Sequence, residues 1–194
     1  MKTIEITLYK FNELSAEAQE TAINKWREDQ YQNGDNLFWF MDSCKEYLNY
    51  QGFINPNIQY SLSYSQGDGL SFSADGYSRL KETFLKHLGP HHENIASYLT
   101  DNCTLQIKGN TGHYCYASKS DIDLYLEVYS SNDTPLVDAL IEAVMSDITD
   151  EYLNVCRVLE TNGYEQIEYE QSDEYIRETI EANDYDFTAE GEIY

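Results

Sequence analysis

The chain has 194 residues, 41% of them hydrophobic, with 18 tyrosines and a formal net charge of −23 at pH 7. That apolar share excludes wholesale disorder, and a negative field of this size disfavours direct contact with nucleic acid or anionic membrane, whose phosphates need Lys and Arg. The charge is uneven: residues 1–120 carry 14 acidic and 10 basic side chains, a net of −4, whereas residues 121–194 carry 21 acidic ones against Arg157 and Arg177, a net of −19.

Ile4, Ile6 and Leu8 alternate with Glu5 and Thr7, so a strand is predicted over residues 3–9. Ser15 is a helix N-cap, with Glu17 and Glu20 near the positive end of a helix running to about Gln32. Ala18, Ala22, Ile23 and Trp26 form its apolar face. Asn33-Gly34-Asp35 breaks the pattern, and a second, more apolar helix is expected from Asn36 to Tyr50, stopping at Gly52. It is expected to pack across a sheet.

The clearest local signal follows. In the stretch NIQYSLSYSQGDGLSFSA, Ile58, Tyr60, Leu62 and Tyr64 alternate with Gln59, Ser61 and Ser63. Ser65-Gln66-Gly67-Asp68-Gly69 reverses the chain, and Leu70, Phe72 and Ala74 resume the alternation, which reads as a hairpin. A helix is predicted from Ser78 to Leu88, stopped by Gly89-Pro90, with another turn or two from Asn94 to Leu99. Strands are expected at Cys103–Lys108, at Tyr114–Ser118 and at Asp121–Tyr129, with a turn at Gly109-Asn110-Thr111-Gly112 and a bulge near Ser118–Ser120. Thr134-Pro135 starts a long amphipathic helix whose stripe runs from Leu136 to Leu159 and whose end is predicted at Asn162-Gly163. That stripe either buries against the sheet or makes a dimer. Tyr164–Gln171 adds a helical piece, and Ser172 caps a last helix to about Ala182. Tyr185, Phe187 and Ile193 return the tail to the body.

The order of elements describes an α+β fold, an antiparallel sheet covered by helices, with acidic helices at the C-terminus. One domain is expected, residues 1–130 forming the sheet-containing core and 131–194 packing on it. Cys44, Cys103, Cys115 and Cys156 form no CxxC pair, the N-terminus has no signal-like apolar core, and no run reaches 18 apolar residues. A soluble cytosolic protein with reduced thiols is expected.

Two constellations stand out. The loop Ser65, Gln66, Gly67, Asp68 and Gly69 offers a carboxylate and backbone N–H groups between glycines, either as a turn or as a cradle for an anion or ligand. No GK[ST] follows, so it is not a P-loop, and it lacks the ligands of a calcium loop. The second is the acidic run Glu165, Glu168, Glu170, Asp173, Glu174, Glu178, Glu181, Asp184, Asp186 and Glu190. It is either a solvated face or an array of carboxylates imitating backbone phosphates, which a partner's Lys and Arg would bind in place of nucleic acid. Tyr169, Tyr175 and Tyr185 are candidate anchors there. His87, His91, His92 and His113 have no second ligand at a convincing spacing, so neither metal nor cofactor is expected, and no catalytic residue is identified.

Three segments, YKFNELSAEAQETAINKWRE, YSQGDGLSFSA and SDEYIRETIEANDYDFTAEG, resemble a group of small acidic proteins encoded by tailed phages, prophages and mobile elements. The SQGDG segment is the most specific of them. Such proteins are mostly of undefined function, some with an antitoxin-like label. The resemblance implies a phage-borne accessory role, including counter-defence of the anti-CRISPR or anti-restriction type, and carries over no catalytic residue. The expected partner is a host protein with a basic nucleic-acid-binding surface, met in the host cytosol by a monomer or homodimer that is not an enzyme. The rival expectations are an enzyme or ligand-binding protein using the SQGDG loop, and an antitoxin-like regulatory partner.

Overall fold

The computed structural model describes residues 5–33, 37–109, 114–118, 122–129 and 135–194. In chain order the elements are β1 (Tyr9–Lys10), a 3-10 turn, α1 (Ala16–Asn33), α2 (Phe38–Tyr50), β2 (Phe53–Ile54), β3 (Asn57–Ser61), β4 (Gly69–Ser73), β5 (Gly76–Tyr77) and α3 (Leu80–Leu88). After a second 3-10 turn come α4 (Glu93–Asp101), β6 (Cys103–Lys108), β7 (Asp123–Val128), α5 (Pro135–Glu170), α6 (Asp173–Ala182) and β8 (Asp186–Phe187). The fold is α+β: the described strands pair only antiparallel, β1 with β8, β2 with β5, β3 with β4 and β6 with β7. Among the described residues no helix is long and apolar enough to cross a membrane.

The chain divides into two compact units, Met1–Phe38 with Tyr164–Tyr194, and Trp39–Gly163. These limits differ from the 1–130 and 131–194 parts read from sequence. Residues up to Gly163 belong with the larger sheets, and the acidic remainder belongs with the N-terminal segment.

In the terminal unit the Ala18 N–H donates to Ser15 Oγ at 3.3 Å, which opens α1 as expected. Ala18, Ala22 and Ile23 bury against Phe11, Leu14, Ile176, Ile180 and Phe187. The strand over residues 3–9 is a correction: among the described residues only Tyr9 and Lys10 pair, with Phe187 and Asp186, and Ile6 is 52% exposed. Period-two alternation needs a partner ladder, and β8 supplies just two residues; Ile4 lies outside the described residues. Ser172 Oγ accepts from the Tyr175 N–H at 3.2 Å and caps α6. The tail is held as expected, with Phe187 buried and Tyr185 against Trp26 at 5.5 Å.

In the sheet unit, β3 and β4 pair in the register of the predicted hairpin, Ile58 opposite Phe72 and Tyr60 opposite Leu70. The alternation stops before Tyr64, which has a left-handed backbone (φ 58°) and is 65% exposed. One core gathers Leu48 of α2, Phe53, Leu70, Phe72, Phe84, Ile107 and the α5 face Val144, Ile148, Tyr152, Val155 and Leu159. From Val144 onward, therefore, the stripe of α5 covers its own sheet, while Leu136 stands 83% exposed. Tyr114–Ser118 is a second correction: the segment forms no strand. The Cys115 N–H donates to the Gly67 carbonyl at 3.0 Å, so the segment lies on the hairpin loop instead. The Gly109–Gly112 turn beyond Gly109, the bulge beyond Ser118, Asp121, Thr134 and most of the 33–35 break fall outside the described residues.

Gly163 does not stop the long helix. It sits buried inside α5, where an added Cβ would lie 2.4 Å from Leu62 Cδ1 and 3.1 Å from Phe40 Cε1. The glycine answers a close approach rather than a chain end.

β4 is also joined to β6. The Ala74 N–H donates to the Ile107 carbonyl at 2.8 Å and the Ile107 N–H to the Ala74 carbonyl at 3.1 Å. Continued two residues on, that register would set Phe72 opposite Gly109. There the Tyr152 hydroxyl takes over the ladder, accepting from the Phe72 N–H at 2.9 Å and donating to the Phe72 carbonyl at 2.7 Å. A Cβ on Gly109 would come within 2.5 Å of that carbonyl.

Candidate functional site

The SQGDG loop is closed on itself. Asp68 Oδ2 accepts the Ser63 N–H at 2.6 Å and the Ser65 N–H at 2.8 Å, and Oδ1 accepts the Ser61 hydroxyl at 2.7 Å. The Ser63 hydroxyl lies 3.2 Å from Oδ1. The Asp68 N–H in turn donates to the Ser65 carbonyl at 3.2 Å. A carboxylate taking several short bonds from its own loop is a structural clamp. Three N–H groups that would have cradled an anion are used inside the turn. The glycines serve packing as well as reversal. Gly67 (φ 90°) would place a Cβ 1.8 Å from the Tyr114 ring, and Gly69 (φ 148°) would place one 2.6 Å from Tyr116 Cα. Ser65 and Gln66 remain on the surface. The Asp68 charge reaches its neighbours: burial first, then Asp68, pushes both the Cys115 thiol and the Glu160 carboxyl above their ordinary values.

The acidic residues divide into two groups. Some tie the terminal unit together: Asp173 pairs with Arg27 at 2.6 Å, Asp184 and Asp186 with Lys10 at 3.1 and 3.0 Å, and Glu192 with Lys25. Arg27 Nε also donates to the Gln171 carbonyl at 3.0 Å, and Lys10 Nζ to the Asp184 carbonyl at 2.7 Å. Carboxylate neighbours raise the Lys10 ammonium above its ordinary value, chiefly the hydrogen bond to Asp186. Glu170 accepts from the Gln166 amide at 2.7 Å. The second group faces outward. Glu174, Glu178 and Glu181 follow one another at spacings of four and three on α6, opposite the buried pair Ile176 and Ile180. They are exposed and make no ion pair among the described residues. Glu165 and Glu168 are likewise exposed near the end of α5. Beside them Tyr169, 53% exposed, packs its ring at a tilt against Tyr175, centroids 5.1 Å apart. Tyr185 is committed to Trp26.

Burial pushes the Cys44 and Cys156 thiols up to about 12, so both are unreactive hydrophobes. His113 lies outside the described residues. Sequence reasoning weighed His87 only as a metal ligand and missed its partner Asp147. The His87 Nε2 lies 2.9 Å from Asp147 Oδ2, which also takes the Lys86 ammonium at 2.7 Å. A Lys-His doublet in so acidic a chain was the available signal, but its partner is 60 positions away.

No protein-family model, curated protein or solved structure matches the chain.

Proposed function

We propose that this is a phage or mobile-element accessory protein that acts in the host cytosol by occupying the basic nucleic-acid-binding surface of a defence protein, in the anti-CRISPR or anti-restriction manner. The observation that carries the reading is the outward face of α6, where Glu174, Glu178 and Glu181 are exposed and unpaired among the described residues. The unit bearing it holds 18 acidic and five basic residues, a net of −13, against −10 for the other unit, which is nearly twice as long. Three of those five bases, Lys10, Lys25 and Arg27, are already engaged by acids of the same tail. What remains for a partner is almost wholly negative. Steps of three and four residues along a helix advance about 4.5–6 Å, the same order as the charge spacing along one nucleic-acid strand, roughly 3.4 Å. Cationic side chains that would release counterions from DNA or RNA can pair with these carboxylates instead.

The resemblance of three segments to small phage proteins supports the biological setting. The rival reading through the SQGDG loop loses support, because Asp68 spends its carboxylate within the turn.

The test is protection of a phage in hosts carrying a CRISPR system or a restriction enzyme, followed by displacement of labelled target duplex from the purified effector. Wild-type protein restores plating and displaces the duplex; the triple variant E174K/E178K/E181K, folded as judged by circular dichroism, does neither. Undiminished protection by the triple variant would overturn the reading.

A further inference from the structure

Within the sheet unit, α3 and α5 border a cleft of about 260 Å³. Tyr77, Arg79, Glu82, Lys86, Asp147 and Glu151 line it, with Ile148 as apolar floor. One end is closed by charge, since Lys86 and His87 both bond Asp147 Oδ2. One turn further along each helix, the carboxylates of Glu82 and Glu151 have no ion-pair partner among the described residues. The Tyr77 hydroxyl feels both: burial most, then Glu151, pushes its pKa above the ordinary value and so disfavours its ionisation, with Arg79 opposing and Glu82 adding. Arg79 is held in place. It donates to the Tyr50 carbonyl at 2.5 Å and to Gln51 Oε1 at 3.4 Å, and its guanidinium stands 5.8 Å from the Tyr50 ring centroid. The rest of its planar donor fork is left over. It also immediately precedes α3, whose N-terminus has no side-chain cap and so adds positive potential.

A cleft with fixed positive charge at one place and unpaired carboxylates beside an aromatic ring at another matches a ligand carrying both charges. Its size lies at the low end of the roughly 300–1,000 Å³ usual for drug- and cofactor-sized ligands, which suits a small ligand. We propose that the cleft binds a small zwitterionic amine of the free amino-acid class, with its ammonium between Glu82 and Glu151 and its carboxylate on Arg79. This site is separate from the acidic face of α6 and does not depend on the function assigned to that face.

Isothermal titration of the full chain with glycine, L-glutamate and L-lysine tests it, alongside putrescine and succinate, which carry only one kind of charge. At least one amino acid should bind saturably, about tenfold or more tighter than either half-ligand. R79M and E151Q should each weaken that binding by about tenfold or more, whereas K108M, outside the cleft, should leave it unchanged. If R79M fails to fold, E82Q, on the exposed side of α3, carries the same expectation. Absence of binding by every amino acid at roughly 10 mM would overturn the proposal. So would putrescine binding as tightly as the amino acids, or wild-type affinity in the folded cleft variants.

Discussion

The Tyr152 hydroxyl stands where a strand would otherwise be, bonding both backbone groups of Phe72 in a fully buried place. Y152F keeps the ring but strands a buried N–H and a buried carbonyl together, which costs about 1–3 kcal/mol. Urea denaturation should show a lower midpoint with an unchanged slope. Asp68 is a second such residue. D68A removes the acceptor for the Ser63 and Ser65 N–H groups and the Ser61 hydroxyl, and should destabilise the chain by about 1–3 kcal/mol. If D68A melts like wild type yet abolishes an activity, the loop is a site and not a clamp. Neither role was legible in the residues alone. The SQGDG pattern announces a turn, but whether its carboxylate faces in or out depends on serines up to seven positions away.

At the scale of elements, the hairpin register and the caps at Ser15 and Ser172 were legible, because local chemistry decides them. Gly163 misled because glycine signals both a helix end and a close packing contact, and only Leu62 and Phe40 distinguish the two. Residues 5–9 and 114–118 misled because alternation describes a chain able to pair; among the described residues β8 reaches only Tyr9 and Lys10, and Cys115 bonds the hairpin loop at Gly67. The contact between α3 and α5 makes a pH prediction. Hydrogen bonding to Lys86 first, and then to His87, holds the Asp147 carboxyl below its ordinary value of 3.8. A depressed carboxylate stabilises the fold fully above its unfolded value, and the benefit fades as pH falls through the folded value. D147N should therefore lower Tm at about pH 5, and the gap should shrink below about pH 4. A gap that is constant down to low pH would assign the effect to packing instead.

For the whole molecule, the sequence announced the charge but not its division. Lys10 and Asp186 lie far apart in the chain, and only the pairing of β1 with β8 joins them. That pairing turns part of the acidic run into internal ties and leaves the α6 face outward. K10M should loosen the tail, seen as faster amide exchange at Phe187, without unfolding the sheet unit. The claim that matters most is that the outward carboxylates stand in for phosphates. Its most direct measurement is the affinity for an effector whose DNA binding the protein blocks, taken across roughly 50–300 mM salt for wild type and for E174K/E178K/E181K. Wild-type affinity should fall steeply with salt, and the variant should bind weakly with a shallow slope. Equal affinities and equal slopes would contradict the account.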